Sequence, residues 1–165
     1  NQRTLKILDA QNRDSIPVLR ETIGALGTAW TVDIDFSLIE EFIDQGYLSN
    51  VESDSLKMAF KSYSNSMGRM EIAREYIIQH YTDRIEPYIN KHLNYSEVAM
   101  ARYKEYMVEG GPPTDFDFLF NDMEFWNIIT FKVEGLGGDI KVNKRMIKRL
   151  QNLNTQIQKE LDKDS

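Results

Sequence analysis

The chain contains no cysteine. Disulfides, thiol nucleophiles and thiolate metal sites are excluded together. The compartment stays open, because a helical domain with an adequate core needs no covalent staple anywhere. Histidine is scarce, with only His80 and His92. Di-metal carboxylate sites in helical bundles need Glu-x-x-His on two helices. Here the residues three before the histidines are Ile77 and Ile89, and the nearest upstream carboxylates, Glu75 and Glu86, stand five and six residues away, on the wrong face. A basic excess is also missing. The formal net charge is −6 and the isoelectric point about 5.0. Spread evenly, that charge argues against a nucleic-acid-binding face and against docking on an anionic membrane surface. No apolar run approaches the ~18 residues of a membrane span. The first residue is Asn1 rather than methionine, so a trimmed or mature terminus is expected, with any signal or membrane anchor lying before it. Strand patterning is confined to one short alternating run, Trp30 to Phe36.

Helical periodicity fills the space these absences leave. From Trp126 the positions Ile129, Val133, Leu136, Ile140, Asn143, Ile147, Leu150, Asn154, Ile157 and Leu161 recur three and four residues apart, and nine of the eleven are apolar. The mean spacing of 3.5 keeps one stripe of a helix facing a partner, as in a coiled coil. Gly135, Gly137 and Gly138 interrupt the composition without shifting that phase, which predicts another helix passing close rather than a break. Residues 1 to 30 carry a second stripe, Leu5, Leu8, Asn12, Ile16, Leu19, Ile23, Leu26 and Trp30, with an extra four-residue step near Pro17. It reads as one helix kinked at Pro17, the alternative being a fresh start with Ser15 as cap. A third stripe runs from Leu56 through Phe60, Tyr63, Met67, Met70, Ile77, Tyr81 and Ile85 to Tyr88, on a helix from Ser53 or Asp54 to about Leu93, bent near Pro87. Between these lie a connection from Thr31 to Asp35 and a short helix capped by Ser37 (with Glu40 as its capping-box partner) or by Asp35 and stopped by Gly46. Another short helix runs from Glu97 to about Val108, before a loop at Gly110-Gly-Pro-Pro113 and an aromatic knot from Phe116 to Trp126, with Asn121 as cap. The expected fold is all-α: one domain over residues 1–165, an antiparallel helical bundle of three long helices, one or two of them Pro-kinked, plus two short ones.

Three stretches resemble reaction or cofactor sites and fail on spacing. Asp33-Ile-Asp35-Phe-Ser37 begins like a calcium loop, yet its sixth and twelfth positions are Leu38 and Asp44 instead of glycine and glutamate. A helix cap explains it better, and Asp115-Phe-Asp117 fails in the same way. Gly135-Leu-Gly-Gly138 lacks both the preceding strand and the following Lys-Ser/Thr of a phosphate loop. No Gly-x-Ser-x-Gly elbow is present. The chain therefore reads as a non-catalytic interaction or structural module, with no cofactor and no metal. Arg74, standing where an apolar residue is due, supports an alternative: a sensor binding a small anionic ligand between helices, with Tyr63, Met67, Tyr81 and Trp126 as neighbours. The plainer account of Arg74 is an ion pair or a side chain that reaches water. Asn143 and Asn154 fit a register-fixing role in the seam, the alternative being that they line a pocket. Tyr103, Tyr106, Met107, Phe131 and Met146 lie off the main stripes and form a candidate interface for a protein partner or a weak homodimer.

The run Phe36-Ser-Leu-Ile-Glu-Glu-Phe-Ile-Asp-Gln-Gly46, continuing through Leu48, Val51, Leu56 and Tyr63, together with Phe125-Trp-Asn127 and the closing amphipathic helix, resembles an uncharacterised family of single-span, membrane-anchored proteins of the Bacteroidota, a domain of unknown function. The likeness spans roughly residues 36 to 161. It implies an anchor before Asn1 as the only link to a membrane, and a domain on the periplasmic side of the cytoplasmic membrane. That family carries no established activity, so no functional residue transfers.

Overall fold

The computed structural model describes residues 1–29 and 35–163. Trp30, the connection from Thr31 and the calcium-like start at Asp33 lie outside the described residues. The chain is all-α: eight helices and no strand among the described residues. They are α1 (Gln2–Ala10), α2 (Ile16–Ile23), α3 (Ser37–Asp44), α4 (Asp54–His80), α5 (Glu86–His92), α6 (Tyr95–Val98), α7 (Phe116–Leu119) and α8 (Met123–Leu161). Only α4, of 27 residues, and α8, of 39, are long.

Residues 1 to 29 do not form the single kinked helix expected. α1 ends at Ala10, Gln11 turns left-handed at φ 51°, and the Asn12 side chain accepts the Asp14 N–H at 2.9 Å to open a three-ten turn. α2 then starts afresh behind Ser15, with Pro17 in its first turn where a missing N–H costs nothing. The stripe itself is kept, with Leu8, Leu19, Ile23 and Leu26 all buried.

α3 starts at Ser37 without a side-chain cap, while the Asp35 carboxylate accepts the Ser37 N–H at 2.9 Å. Gly46, at φ 76°, ends the segment in the conformation that glycine alone adopts freely. At the far end of α4 the path passes through a π-turn, Tyr81–Ile85, where Glu86 donates to the Tyr81 carbonyl five residues back. Pro87 follows in the first turn of α5. Its ring clashes with the carbonyl four residues before it, and the widened turn accommodates it.

The helix expected from Glu97 to about Val108 is absent. α6 is a single turn, Ala99 and Met100 are extended, and a three-ten turn covers Ala101–Tyr106. Long-range contacts override local propensity here. The Glu97 carboxylate accepts the Thr114 N–H at 2.9 Å and pairs with Arg20 at 2.9 Å. The Asn94 amide donates to the Gly110 and Pro112 carbonyls at 2.8 and 3.0 Å, tying the Gly-Gly-Pro-Pro loop to the start of α6.

The chain forms two compact units, the first comprising Asn1–Trp30 and Glu75–Gly137, the second Thr31–Arg74 and Gly138–Ser165. In the first, α1, α2, α5, α7 and the start of α8 enclose a core that includes Leu19, Ile23, Ile85, Leu119, Phe125 and Ile129. In the second, α4 and the end of α8 bury Leu56, Phe60, Tyr63, Met67, Met146 and Leu153, with Ile39, Phe42 and Ile43 of α3 packed alongside.

The seam of α8 keeps its predicted period but not its predicted register. Phe125, Ile129 and Lys132 are buried in the first unit. Met146 and Leu153 are buried in the second, with Leu150 and Ile157 half-buried. Alternate positions therefore fall one residue before those expected: Met146 is 1% exposed, whereas Ile147 is 54% exposed. The glycines do not mark a close approach. A side chain at Gly137 or Gly138 would meet nothing within 4 Å, and at Gly135 only ordinary contacts with Tyr76 and Ile77. α8 runs through all three unbroken.

Candidate functional site

In the second unit α3 presents Ile39, Phe42 and Ile43 to the core, the spacing that puts residues on one helical face. Phe42 stacks on Phe60 of α4 with ring centroids 5.0 Å apart, and packs against Tyr47 of the following three-ten turn at 5.8 Å. The left-handed turn at Gly46 brings Tyr47 and Val51 back toward the start of α4. A cavity of about 690 Å³ remains between these segments and the end of α8. Ten of its thirteen lining residues are apolar or aromatic, including Leu38, Val51, Leu153 and Leu161, and the other three are Glu41, Gln45 and Glu160. Leu38 is 80% exposed. A leucine presented to water at a cavity mouth makes contact area available to an incoming group, which a buried leucine does not.

The polar edge is acidic. Gln45 donates its amide to Glu41 at 2.8 Å, leaving that carboxylate's charge in place. Glu160 pairs with Lys163 at 3.2 Å on the exposed end of α8. From Asp35 to Leu56, the stretch that supplies most of the wall, there are six carboxylates (Asp35, Glu40, Glu41, Asp44, Glu52 and Asp54) and no Lys, Arg or His. The negative charge is thus concentrated, contrary to the even spread assumed from composition. Apolar contact and cation attraction are what this arrangement can supply chemically.

Two cations lie in the seam of α8, and neither was identified from spacing. Lys132, where Val133 was expected, donates from its ammonium to the carbonyls of Ala25, Leu26 and Thr28 at 3.0, 2.5 and 2.6 Å. Those carbonyls follow the end of α2, and three donors meet three acceptors. Burial opposes the charge and brings the Lys132 pKa down to about 8. Beside it, Tyr81, His80 and Phe131 line a cavity of about 10 Å³, the room of a single water. Arg149, in the second unit, donates to the Ser62 carbonyl at 2.8 Å and to the Ser66 hydroxyl. Small side chains at Ser62 and Ser66 admit its guanidinium to the surface of α4.

The residues singled out for an anionic ligand do not line the apolar cavity. Tyr63 and Met67 belong to the core of the second unit, where Tyr63 meets Phe36 edge to face at 6.0 Å. Tyr81 and Trp126 pack against the core of the first. Arg74 is an exposed side chain of α4. Among the candidate interface residues, Tyr106 and Phe131 are exposed, and Tyr103 and Met107 are half-buried. Met146 is core, because the register of α8 turns it inward in place of Ile147. Asn143 is half-buried, its amide donating to the Asp139 carbonyl at 3.0 Å, and Asn154 is exposed.

No group of three or more His, Asp or Glu side chains placed to hold a metal ion occurs among the described residues. No helix among them is long and apolar enough to cross a membrane. Compared with protein-family models, with curated proteins and with solved structures, the chain matches none.

Proposed function

We propose that this chain is a non-catalytic helical interaction module, its helices arranged as an antiparallel bundle, and that it receives apolar side chains of a protein partner in the cavity of the second unit. The observation that carries this reading is the cavity itself, about 690 Å³ with a mostly apolar wall and Leu38 at its mouth. Its size lies within the range of functional pockets, and its lining matches their usual chemistry. Helix-in-groove recognition uses such walls, a partner helix inserting residues spaced three and four apart. The reading as a sensor of small anions is weaker, because the cavity carries carboxylates and Arg74 does not line it. Membrane anchoring and a periplasmic location belong to the same proposal and draw on the resemblance of residues 36 to 161.

Calorimetric titration with a helical peptide bearing a leucine ridge and glutamine flanks tests the docking reading. Saturable binding that is lost in the double variant Leu38→Ser/Leu161→Ser is the expected result. No heat of binding to the parent chain overturns it.

A further inference from the structure

We infer that the partner segment is basic: an amphipathic helix whose apolar ridge enters the cavity and whose flanks carry Lys or Arg. This rests on the docking reading above and adds the chemistry of the occupant. The charged residues lining the cavity are both carboxylates, Glu41 and Glu160. The segment 35–56, which spans α3, the turn after it and the first residues of α4, adds Asp35, Glu40, Asp44, Glu52 and Asp54 and carries no Lys, Arg or His of its own. α3 alone carries three acids among eight residues, SLIEEFID. Such a face steers a cationic partner toward itself and repels an acidic one. Lys163 already reaches Glu160, but from an exposed side chain three residues along, in the turn after α8. Such pairs are weak and screened, so an incoming cation displaces it readily. Gln45 holds the Glu41 carboxylate in place without neutralising it, and that carboxylate is the cleaner anchor.

Three helical peptides with the same leucine ridge and with Lys, Gln or Glu flanks separate the two claims. The glutamine peptide reports cavity docking alone. The inference expects the lysine peptide to bind about tenfold tighter than the glutamine peptide at low salt, as two exposed charge pairs allow. That advantage should shrink at 1 M salt, where screening reaches about 3 Å. It should also fall in Glu41→Gln/Glu160→Gln, where the glutamine peptide measured on the same variant sets the baseline. Equal affinity for all three peptides overturns the basic partner and leaves the docking reading intact. Lysine-peptide binding that persists in Leu38→Ser/Leu161→Ser is charge attraction without docking, and also overturns the inference. Self-association of the parent chain that the same double variant abolishes makes a second copy the occupant, which overturns it too.

Discussion

Tyr88 donates its hydroxyl hydrogen to one carboxylate oxygen of Asp122, whose other oxygen accepts the Glu124 N–H at 3.0 Å and so caps α8. One side chain therefore starts the longest helix and ties it to α5. Tyr88 also stacks on Phe125 at 5.4 Å, so the link lies against the core of the first unit. Burial first, and the Asp122 carboxylate second, push the Tyr88 phenol above its ordinary range. Tyr88→Phe is expected to cost about 1.5–3 kcal/mol, as for a hydrogen bond to a charged group. Asp122→Ala removes the cap as well and should cost more. Chemical denaturation checks both, and equal stability of parent and Tyr88→Phe would count against the link.

The α8 register is tested by a pair of neighbours. Met146→Ala should cost about 2–5 kcal/mol, a large-to-small change in a core. Ile147→Ala, on the exposed side, should stay within about 1 kcal/mol. The predicted seam requires the reverse order, so two denaturation midpoints decide between the registers.

Glycines separate in the same way. A Cβ at Gly24 would overlap the backbone of Val98 and lie 2.6 Å from the Met100 nitrogen. Backbone cannot yield as a side chain does, so Gly24→Ala should destabilise by about 1–3 kcal/mol or more. Gly137→Ala meets open space inside a continuous helix and should stabilise by up to about 1 kcal/mol. Thermal melts of the two variants should shift in opposite directions.

Lys132 makes stability depend on pH. Its folded pKa is about 8, against about 10.4 for an unfolded lysine. Between these values the unfolded chain holds a proton that the folded chain has released, so the Lys132 contribution rises with pH across that window. The Tyr81 and Tyr95 phenols, raised chiefly by burial, act in the opposite sense above about pH 10. Denaturation midpoints measured from pH 8 to 10 should therefore climb, and the climb should vanish in Lys132→Met. That variant should also be less stable than the parent at pH 7, because the Ala25, Leu26 and Thr28 carbonyls lose their donor. An identical pH profile in parent and variant would refute the assignment.

Helical periodicity, the stop at Gly46 and the inward stripe of α4 were all legible in order along the chain, because each follows from spacing or from one residue's backbone freedom. The helix after Glu97 was misread because Glu97 and Asn94 take partners at Arg20, Thr114 and Gly110, which local propensity does not register. The candidate ligand residues shared a stripe on paper, yet a shared stripe means a shared core before it means a pocket, and Tyr63 and Met67 became core.

By itself the sequence determined an all-α chain with a 3.5-residue seam near its end and short helices between longer ones. Hydrophobic period acts within one helix, so it survives in any arrangement. Tertiary structure decided which of two adjacent residues faces inward, since Phe125 and Trp126, or Met146 and Ile147, serve a local pattern equally well. Lys132 turns in because three carbonyls after α2 wait for an ammonium, a match made across more than a hundred residues. The acidic, apolar-walled cavity likewise exists only where α3, the turn after Gly46, the start of α4 and the end of α8 meet, for no single segment encloses a volume.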